Sequence, residues 1–350
     1  MAAPLVSIED LKVHFPIRRG GIFGRTAGAV RAVDGVTLDV LRGETLGLVG
    51  ESGSGKTTLG RAVLRVVEST SGRIRIRLDD RDIDLRAIDQ AGLRRLWRHM
   101  QLIFQDPYSS LNPRMTVREI IGESLLVHGL ARGAALETWV ADIAQKCGLD
   151  AEHLGRYPHA FSGGQRQRIS IARALVMRPQ FIVCDEPISA LDVSIQAQIL
   201  TLLKSLQQEL GLTYLFIAHD LAAVAYVCDR VAVMYLGQIV ELGETQALYY
   251  TPRHPYTEAL MSAIPVPDPD AELRPILLTG ERPDPSNPPP GCRFHTRCRY
   301  ADARCRSEMP VLAPIAAGHL VACHHAASLS LAGAREQADA AFVSSSKSTE

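Results

Sequence analysis

The sequence is short of several residue types that mark particular protein classes. Lysine occurs five times in 350 residues, tryptophan twice, and aromatic residues make up 5% of the chain. The formal net charge is zero, which gives no reason to expect a nucleic-acid partner. Apolar runs such as 210–218 and 231–240 are too short to cross a bilayer. The start MAAPLVSIEDLKV lacks a basic segment followed by an apolar one, which predicts that there is no signal peptide.

Cysteine is also scarce, but its distribution is uneven. Four of the seven cysteines lie in the last sixty residues, at Cys292, Cys298, Cys305 and Cys323. Without a secretion signal we expect a reducing environment, where clustered cysteines more often bind metal than form disulfides. The rest of the composition, 46% hydrophobic and 22% charged, is typical of a soluble globular protein.

The pattern of apolar residues predicts an α/β protein with a mainly parallel sheet. Strands are predicted at 5–13, 36–49, 100–104, 181–186 and 212–220, and helices at 57–67, 116–128, 135–147, 165–177 and 193–209. The glycine-rich, basic stretch 18–30 is predicted to be a loop. In a sheet of this kind, ligands bind at the carboxyl ends of the strands.

Composition divides the chain into four parts. Residues 1–263 form the predicted globular domain, and 264–290 a linker, because nine of the twenty prolines fall in 265–290. Residues 291–325 contain the clustered cysteines. Residues 326–350 are rich in Ala and Ser with a polar end, which predicts disorder.

The stretch GESGSGKT matches the phosphate-loop pattern G-x-x-x-x-G-K-[ST] and stands between a predicted strand and a predicted helix. Its backbone N–H groups and the helix N-terminus would bind the phosphates of ATP. Lys56 would neutralise phosphate charge, and the Thr57 hydroxyl would bind Mg²⁺. The predicted nucleotide ligands here are Gly50, Ser52, Gly53, Ser54, Gly55, Lys56, Thr57 and Thr58.

The run FIVCDE predicts the other half of the site. Four apolar residues indicate a buried strand, and Asp185 at its end can reach the Mg²⁺ shell. Glu186 is then placed to polarise a water molecule for attack on the γ-phosphate. Its role would be that of a general base or of a residue that orients the water.

Further stretches in the same order resemble ABC-type ATPases across residues 5–250. FSGGQRQR (161–168) resembles the family's signature motif, and ISALD (188–192) resembles the loop that joins the two sites of a dimer. The implied fold is a P-loop cassette. It has a mixed, mainly parallel sheet, an antiparallel β subdomain and a helical subdomain near 106–160. The signature and loop residues implied in nucleotide binding are Ser162, Gly163, Gly164, Gln165 and Asp192.

The resemblance also implies roles for three separate residues. His219 matches the switch histidine at the γ-phosphate. Gln105 matches the glutamine that joins the Mg²⁺ site and couples to membrane subunits. Phe15 matches an aromatic residue that stacks on adenine. In that family, the signature of one subunit closes over ATP held by the other subunit's phosphate loop.

Two other stretches narrow the resemblance. QDPYSSLNPRMTV (105–117) and RHPYTEALMSAIP (253–265) are similar to ATP-binding subunits of oligopeptide and dipeptide importers, and nickel importers share them. This implies two transmembrane permeases, a second identical or homologous ATPase subunit and an extracytoplasmic peptide-binding protein. The chain would lie peripherally on the cytoplasmic face of the membrane. The alternatives are a soluble ABC ATPase of DNA repair or translation, or a metal- or redox-responsive binding module.

The four clustered cysteines are separated by five, six and seventeen residues. Zinc ribbons usually begin with two ligands only two to four residues apart. The wider spacing and four thiolates favour a [4Fe-4S] cluster held by Cys292, Cys298, Cys305 and Cys323, with Zn²⁺ or unliganded cysteines as alternatives. We expect neighbouring arginines to offset the cluster's charge, namely Arg293, Arg297, Arg299, Arg304 and Arg306. The spare candidate ligands are His295, His319, His324 and His325.

Overall fold

The computed structural model of the chain describes residues 3–19, 25–264 and 275–334. Ten residues of the predicted linker (265–274) and residues 335–350 of the tail predicted to be disordered (326–350) lie outside the described residues. Residues 326–334 of that tail are described, and Leu331 is buried. The strands are β1 (Pro4–Arg19), β2 (Arg25–Leu41), β3 (Thr45–Val49), β4 (Ser71–Leu78), β5 (Arg81–Asp84), β6 (Met100–Ile103), β7 (Phe181–Asp185), β8 (Thr213–Ile217), β9 (Arg230–Tyr235), β10 (Gln238–Glu244), β11 (Ala313–Ala316) and β12 (His319–Val321). The helices are α1 (Lys56–Val63), α2 (Gln90–Leu96), α3 (Pro107–Ser110), α4 (Val117–Val127), α5 (Ala134–Lys146), α6 (Gly163–Leu175), α7 (Val193–Leu210), α8 (Leu221–Val227), α9 (Thr245–Tyr250), α10 (Pro255–Met261) and α11 (Ala303–Ser307).

An eight-stranded sheet in the order β11-β12-β10-β9-β3-β8-β7-β6 organises the molecule. The strands from β9 to β6 run parallel, and β10, β12 and β11 continue the sheet antiparallel. Successive side chains of β7 alternate between two apolar cores, with Phe181 and Val183 in one and Ile182 and Cys184 in the other. The predicted mixed, mainly parallel sheet is confirmed.

A second, antiparallel sheet of four strands in the order β2-β1-β4-β5 packs with α1 against one face of the large sheet. Here one sequence prediction was wrong. Within the predicted loop 18–30, residues 25–30 belong to β2, because they pair with β1 at 15–19. The apolar stretch 36–49 contains the end of β2 and the whole of β3, separated by a turn at 42–44.

Helices α3 to α5 form the helical group predicted near 106–160. Helix α4 begins with a capping box, in which Thr116 accepts from the Glu119 N–H and Glu119 accepts from the Thr116 N–H. The buried face of α4 packs against α5 and α6. Among the described residues, no helix combines the length and apolar character needed to span a membrane.

The C-terminal part of the chain folds back onto the globular domain. Strands β11 and β12 form a hairpin, and β12 extends the large sheet by pairing with β10. Residues 275–290 contain no helix or strand, but their carbonyl at Pro285 accepts from the Arg31 N–H at 3.1 Å. This segment therefore lies against the sheet in front of the phosphate loop.

Candidate functional site

The phosphate loop connects the buried strand β3 to the start of α1 at Lys56. Gly50 and Gly55 have φ values of 145° and 110°, which side-chain-bearing residues rarely adopt. A Cβ atom would overlap the carbonyl oxygen of Met234 at position 50 and that of Ala32 at position 55. The two glycines therefore allow the loop to pass close to neighbouring backbone.

Lys56 curls back over the loop. Its Nζ donates to the carbonyl oxygens of Gly50 at 2.7 Å and Glu51 at 3.0 Å. Burial lowers the pKa of the Lys56 ammonium, while the nearby carboxylates of Glu186 and Asp185 act in the opposite direction. With Glu51, three carboxylates surround this buried lysine and favour its charged form at the position where phosphates would bind.

Asp185 stands at the carboxyl end of β7 and is 1% exposed. The Thr57 hydroxyl donates to its Oδ1 at 2.8 Å, and Arg61 Nη2 lies 3.4 Å from its Oδ2. A carboxylate and a hydroxyl in contact at the start of a helix are oxygen ligands of the kind that Mg²⁺ prefers. The residues present therefore fit the expected Mg²⁺ ion.

Glu186 follows Asp185 in an unusual backbone conformation, with a φ of 49°. Its N–H donates to the carbonyl of Ile217, which ties the turn to β8. The Gln105 amide donates to Glu186 Oε2 at 2.9 Å, and His219 Nδ1 lies 3.3 Å from the same oxygen. Non-glycine residues with positive φ are often found at functional sites. The structure thus brings together three residues that lie far apart in the sequence.

These groups face one cavity of about 470 Å³. It is lined by Val30, Ala32, Ser52, Gly53, Gly55, Lys56, Thr57, Thr58, Gln105, Glu186, His219 and Pro285. Phe15 is 43% exposed and lies opposite Val30 in the β1–β2 pairing. Phe15 itself does not line the cavity, but its strand neighbour Val30 does.

The signature residues lie elsewhere on the chain. Ser162 is exposed at the start of α6, where its oxygen accepts from the Gln165 N–H at 3.3 Å and Gln165 Oε1 accepts from the Ser162 N–H at 3.0 Å. Gly163 and Gly164 form the first turn of this 13-residue helix. Asp192 is exposed before α7. Among the described residues, those lining the cavity do not include this group.

The clustered cysteines lie close to one another beside the sheet. The N–H of Cys292 donates to the carbonyl of Cys305 at 2.8 Å. Burial, together with the neighbouring cysteines, raises the pKa of the Cys298 and Cys323 thiols to about 11. Backbone N–H groups two residues further on point at the sulfurs, among them that of His325 at 3.4 Å from Cys323 Sγ.

Four of the five arginines expected to offset the charge of a cluster form ion pairs with carboxylates. Their role beside a cluster stays a prediction. The pairs are Arg293 with Asp34, Arg297 with Glu51, Arg299 with Glu258, and Arg304 with Glu308. Three of the four acids belong to the globular domain, so the arginines attach the cysteine region to it.

Sequence reasoning also missed residues of the site itself. Arg282 donates to the carbonyl of Ser52 in the phosphate loop, and a Cβ on Gly53 would approach Arg282 Nη1 to 2.6 Å. Pro285 lines the cavity from the same segment. The only feature of the sequence at this position is an arginine within a proline-rich stretch, and that pattern does not predict a contact with the phosphate loop.

Comparison with known proteins places the chain among relatives of this architecture. Residues 33–189 match the family described as ABC transporter, and residues 240–305 match the oligopeptide/dipeptide transporter C-terminal region. The oligopeptide transport ATP-binding protein AppF of Bacillus subtilis is 47% identical over 323 residues, covering 91% of this chain and 97% of that protein. The chain belongs to the ABC transporter ATP-binding family.

Two other relatives match this ABC ATPase over most of their length and are also named for peptide transport. A Bacillus subtilis protein named for oligopeptide transport, YkfD, is 52% identical over 92% of this chain and 95% of its own length. A Brucella ovis protein named for peptide import is 49% identical over 91% and 97%.

Solved structures match the cassette. A dimeric ATP-binding cassette in a post-hydrolysis state with ADP and phosphate is 25% identical, with a TM-score of 0.59 over 69% of this chain and 98% of that one. A Clostridium perfringens subunit of an ABC transporter complex is 27% identical, with the same TM-score, over 70% and 90%. The predicted P-loop ABC fold is confirmed, and with it an ATPase.

Proposed function

We propose that this ABC ATPase is the ATP-hydrolysing subunit of an importer for oligopeptides or dipeptides. The match of residues 240–305 to the oligopeptide/dipeptide transporter C-terminal region carries this proposal. The names of the full-length relatives, which describe peptide import and oligopeptide transport, support it. The chain would act peripherally, at the cytoplasmic face of the membrane.

The chemistry proposed for the cavity follows from its side chains. Lys56 and the loop N–H groups would bind the β- and γ-phosphates, and Thr57 and Asp185, with Gln105 nearby, would hold a Mg²⁺ ion, which would supply positive charge against the charge that develops on the phosphates. Glu186 accepts a hydrogen bond from the attacking water and takes its proton. Gln105 and His219 fix the carboxylate of Glu186 at the mouth of the cavity.

The exposed signature supports a dimer of cassettes. Ser162 and the N-terminus of α6 present a positive helix end to solvent, outside the cavity of their own chain. A second cassette, identical or homologous, would contribute its own signature to this cavity and receive this one. ATP would then draw the subunits together, and hydrolysis would release them.

A second cavity supports contact with the permeases. It has a volume of about 500 Å³ and lies between the large sheet and the helical group, beside Phe104, which precedes Gln105. Its wall includes Leu64, Trp97 and Val127, and Val127 and Phe104 are exposed. An apolar segment of a transmembrane subunit would cover this surface and connect Gln105 to the channel.

Uptake measurements test the proposed substrate class. A strain deleted for this chain should lose uptake of labelled di- and tripeptides, and the wild-type chain should restore it. A Lys56→Ala chain should not restore uptake, because the phosphate site loses its buried positive charge. Lys12→Ala, a surface lysine paired with Asp10, is the matched control and should restore uptake. Unchanged peptide uptake with reduced nickel accumulation in the deletion strain would instead assign the chain to nickel import.

We further propose that Cys292, Cys298, Cys305 and Cys323 hold a [4Fe-4S] cluster that stabilises the C-terminal region. A tetrahedral Zn²⁺ with 2.3 Å Zn–S bonds would place its sulfurs about 3.8 Å apart. In the described residues the only group of three candidate ligand atoms within 4.8 Å is Asp302, Cys305 and His325. No three of the four described thiol sulfurs therefore lie within 4.8 Å of one another, a wider spacing than a single zinc ion requires, and four thiolates are the usual donor set of a [4Fe-4S] cluster.

Metal analysis after anaerobic purification tests this site. We expect brown protein with about four iron atoms per chain, since a four-cysteine site suits such a cluster. Cys298→Ser should lower iron content and melting temperature together, because metal binding contributes to folding. Cys147→Ser, at a buried cysteine in the helical group, is the control for iron content. A colourless protein with one zinc atom, lost in His325→Ala, would contradict the cluster and favour the Asp302, Cys305 and His325 group.

A further inference from the structure

An arginine of the cysteine region makes a two-pronged contact with the phosphate loop. Arg297 Nη1 lies 2.8 Å from Glu51 Oε2, and Nη2 lies 3.0 Å from Oε1. The Arg297 side chain is 8% exposed and that of Glu51 is 30% exposed, so the pair is shielded from solvent mainly on the arginine side. Such parallel bonds fix the direction of the carboxylate as well as its distance.

Glu51 is the second residue of the phosphate loop and is held at three points. Its side chain is bound by Arg297, its N–H donates to the Tyr256 hydroxyl at 2.7 Å, and its carbonyl accepts from Lys56 Nζ at 3.0 Å. The ion pair is therefore connected to the phosphate-binding lysine through a single residue.

The cysteine region also supports the other contacts of Glu51. Phe294 is buried among Tyr235 and Tyr256, with ring centroids 5.2 and 5.4 Å away. Phe294 and Arg297 thus hold Tyr256 and Glu51 from the same short turn. Arg282 adds a bond to the next loop carbonyl, that of Ser52.

We infer that Arg297 is a positioning residue for ATP binding, which acts by holding the phosphate loop through Glu51. The C-terminal region is then a part of the nucleotide site as well as an attachment to the cassette. This inference rests on the proposed function of the loop in binding ATP. Residues 282–297 lie about 240 positions from the loop in sequence, so this support is supplied entirely by the fold.

The physical benefit of the pair is preorganisation. A buried ion pair contributes little net stability, because desolvation of both charges opposes their attraction. A loop already held in one conformation, however, loses less conformational freedom when it binds its ligand. The Arg297–Glu51 pair should therefore affect ATP affinity more than hydrolysis, because Glu186 and His219 follow strands β7 and β8 rather than the strand that precedes the phosphate loop.

The experiment is a double-mutant cycle on the purified full-length chain, with a fluorescent ATP analogue as the probe. Arg297→Met, Glu51→Gln and the double variant are compared for the dissociation constant, and melting temperatures are measured without nucleotide. Arg299→Met is the matched control, because Arg299 joins the same turn to Glu258 without touching the phosphate loop.

We expect Arg297→Met to weaken ATP binding about tenfold or more, with kcat at saturating ATP within about twofold of the wild type. The double variant should bind ATP no more weakly than Arg297→Met alone. Arg297→Lys should have an intermediate ATP affinity, because lysine keeps the positive charge but cannot make two parallel hydrogen bonds to the Glu51 carboxylate. Arg299→Met should bind ATP normally.

Unchanged ATP affinity in folded Arg297→Met, or an equal loss in Arg299→Met, would overturn the inference. If Arg297→Met does not fold, the ATP affinities of Arg297→Lys and Glu51→Gln test the inference instead. Normal ATP affinity in both variants would overturn it. Failure of the wild-type chain to bind the analogue would contradict the proposed function of the loop itself, which distinguishes the two failures.

Discussion

Glu186→Gln should slow ATP hydrolysis by roughly 10²–10⁴-fold, the loss typical of removing a positioned general base. ATP should still bind, because Lys56, Thr57 and the loop N–H groups are unchanged. The amide can keep a contact with Gln105 and His219, so the local geometry should persist. The measurement is single-turnover hydrolysis alongside equilibrium ATP binding.

Lys56→Ala is the complementary variant for this experiment. It should lose ATP binding itself, since Lys56 is the buried cation beside the loop carbonyls. The two variants thus separate binding from chemistry. Normal turnover in Glu186→Gln would show that another group activates the water, and the role proposed for Glu186 would be wrong.

Ser162→Arg should abolish hydrolysis at the site whose phosphate loop belongs to the other cassette. Ser162 is exposed at the start of α6, where a long charged side chain would block the close approach of a partner. Mixing a Ser162→Arg chain with a Lys56→Ala chain gives a heterodimer with two different sites. The site formed by the Lys56→Ala phosphate loop and the Ser162→Arg signature carries both substitutions. The other site combines an intact phosphate loop with an intact signature.

Activity recovered in that mixture is the result expected of a shared site, measured by ATPase assay at constant total protein. Thr116→Arg is the matched control, since Thr116 also caps a helix through a capping box but lies at α4. Both substitutions should cost about 1 kcal/mol of cap energy. Two inactive parents that stay inactive when mixed as proven heterodimers would contradict the shared site.

The local part of this fold was readable from sequence because it depends on neighbours in the chain. The phosphate loop stands between an apolar strand and a helix, and FIVCD is a strand buried on both faces. Parallel strands bring their carboxyl ends to one edge, which groups Asp185, Glu186 and His219 near Lys56. The roles proposed for these residues await the experiments above.

The remaining part depends on contacts between distant segments. The pairing of 25–30 with β1 turned a glycine-rich stretch into a strand, against its local composition. The ion pair of Arg297 with Glu51 joins residues 246 positions apart, and no periodic pattern in the sequence predicts it. The sequence places these arginines beside cysteines, but it does not reveal that three of them form ion pairs with acids of the globular domain.

The pairing of β12 with β10 has a consequence for how this protein can be divided. Glu241 is fully buried in β10 and accepts hydrogen bonds from the N–H groups of Arg253 and His254 and from His319 Nε2 at 2.7 Å. A version of the chain ended near residue 263 would leave that carboxylate without one partner and open a sheet edge to other molecules. Exchanging tails between related ATPases would therefore succeed only when the incoming tail carries a donor for Glu241.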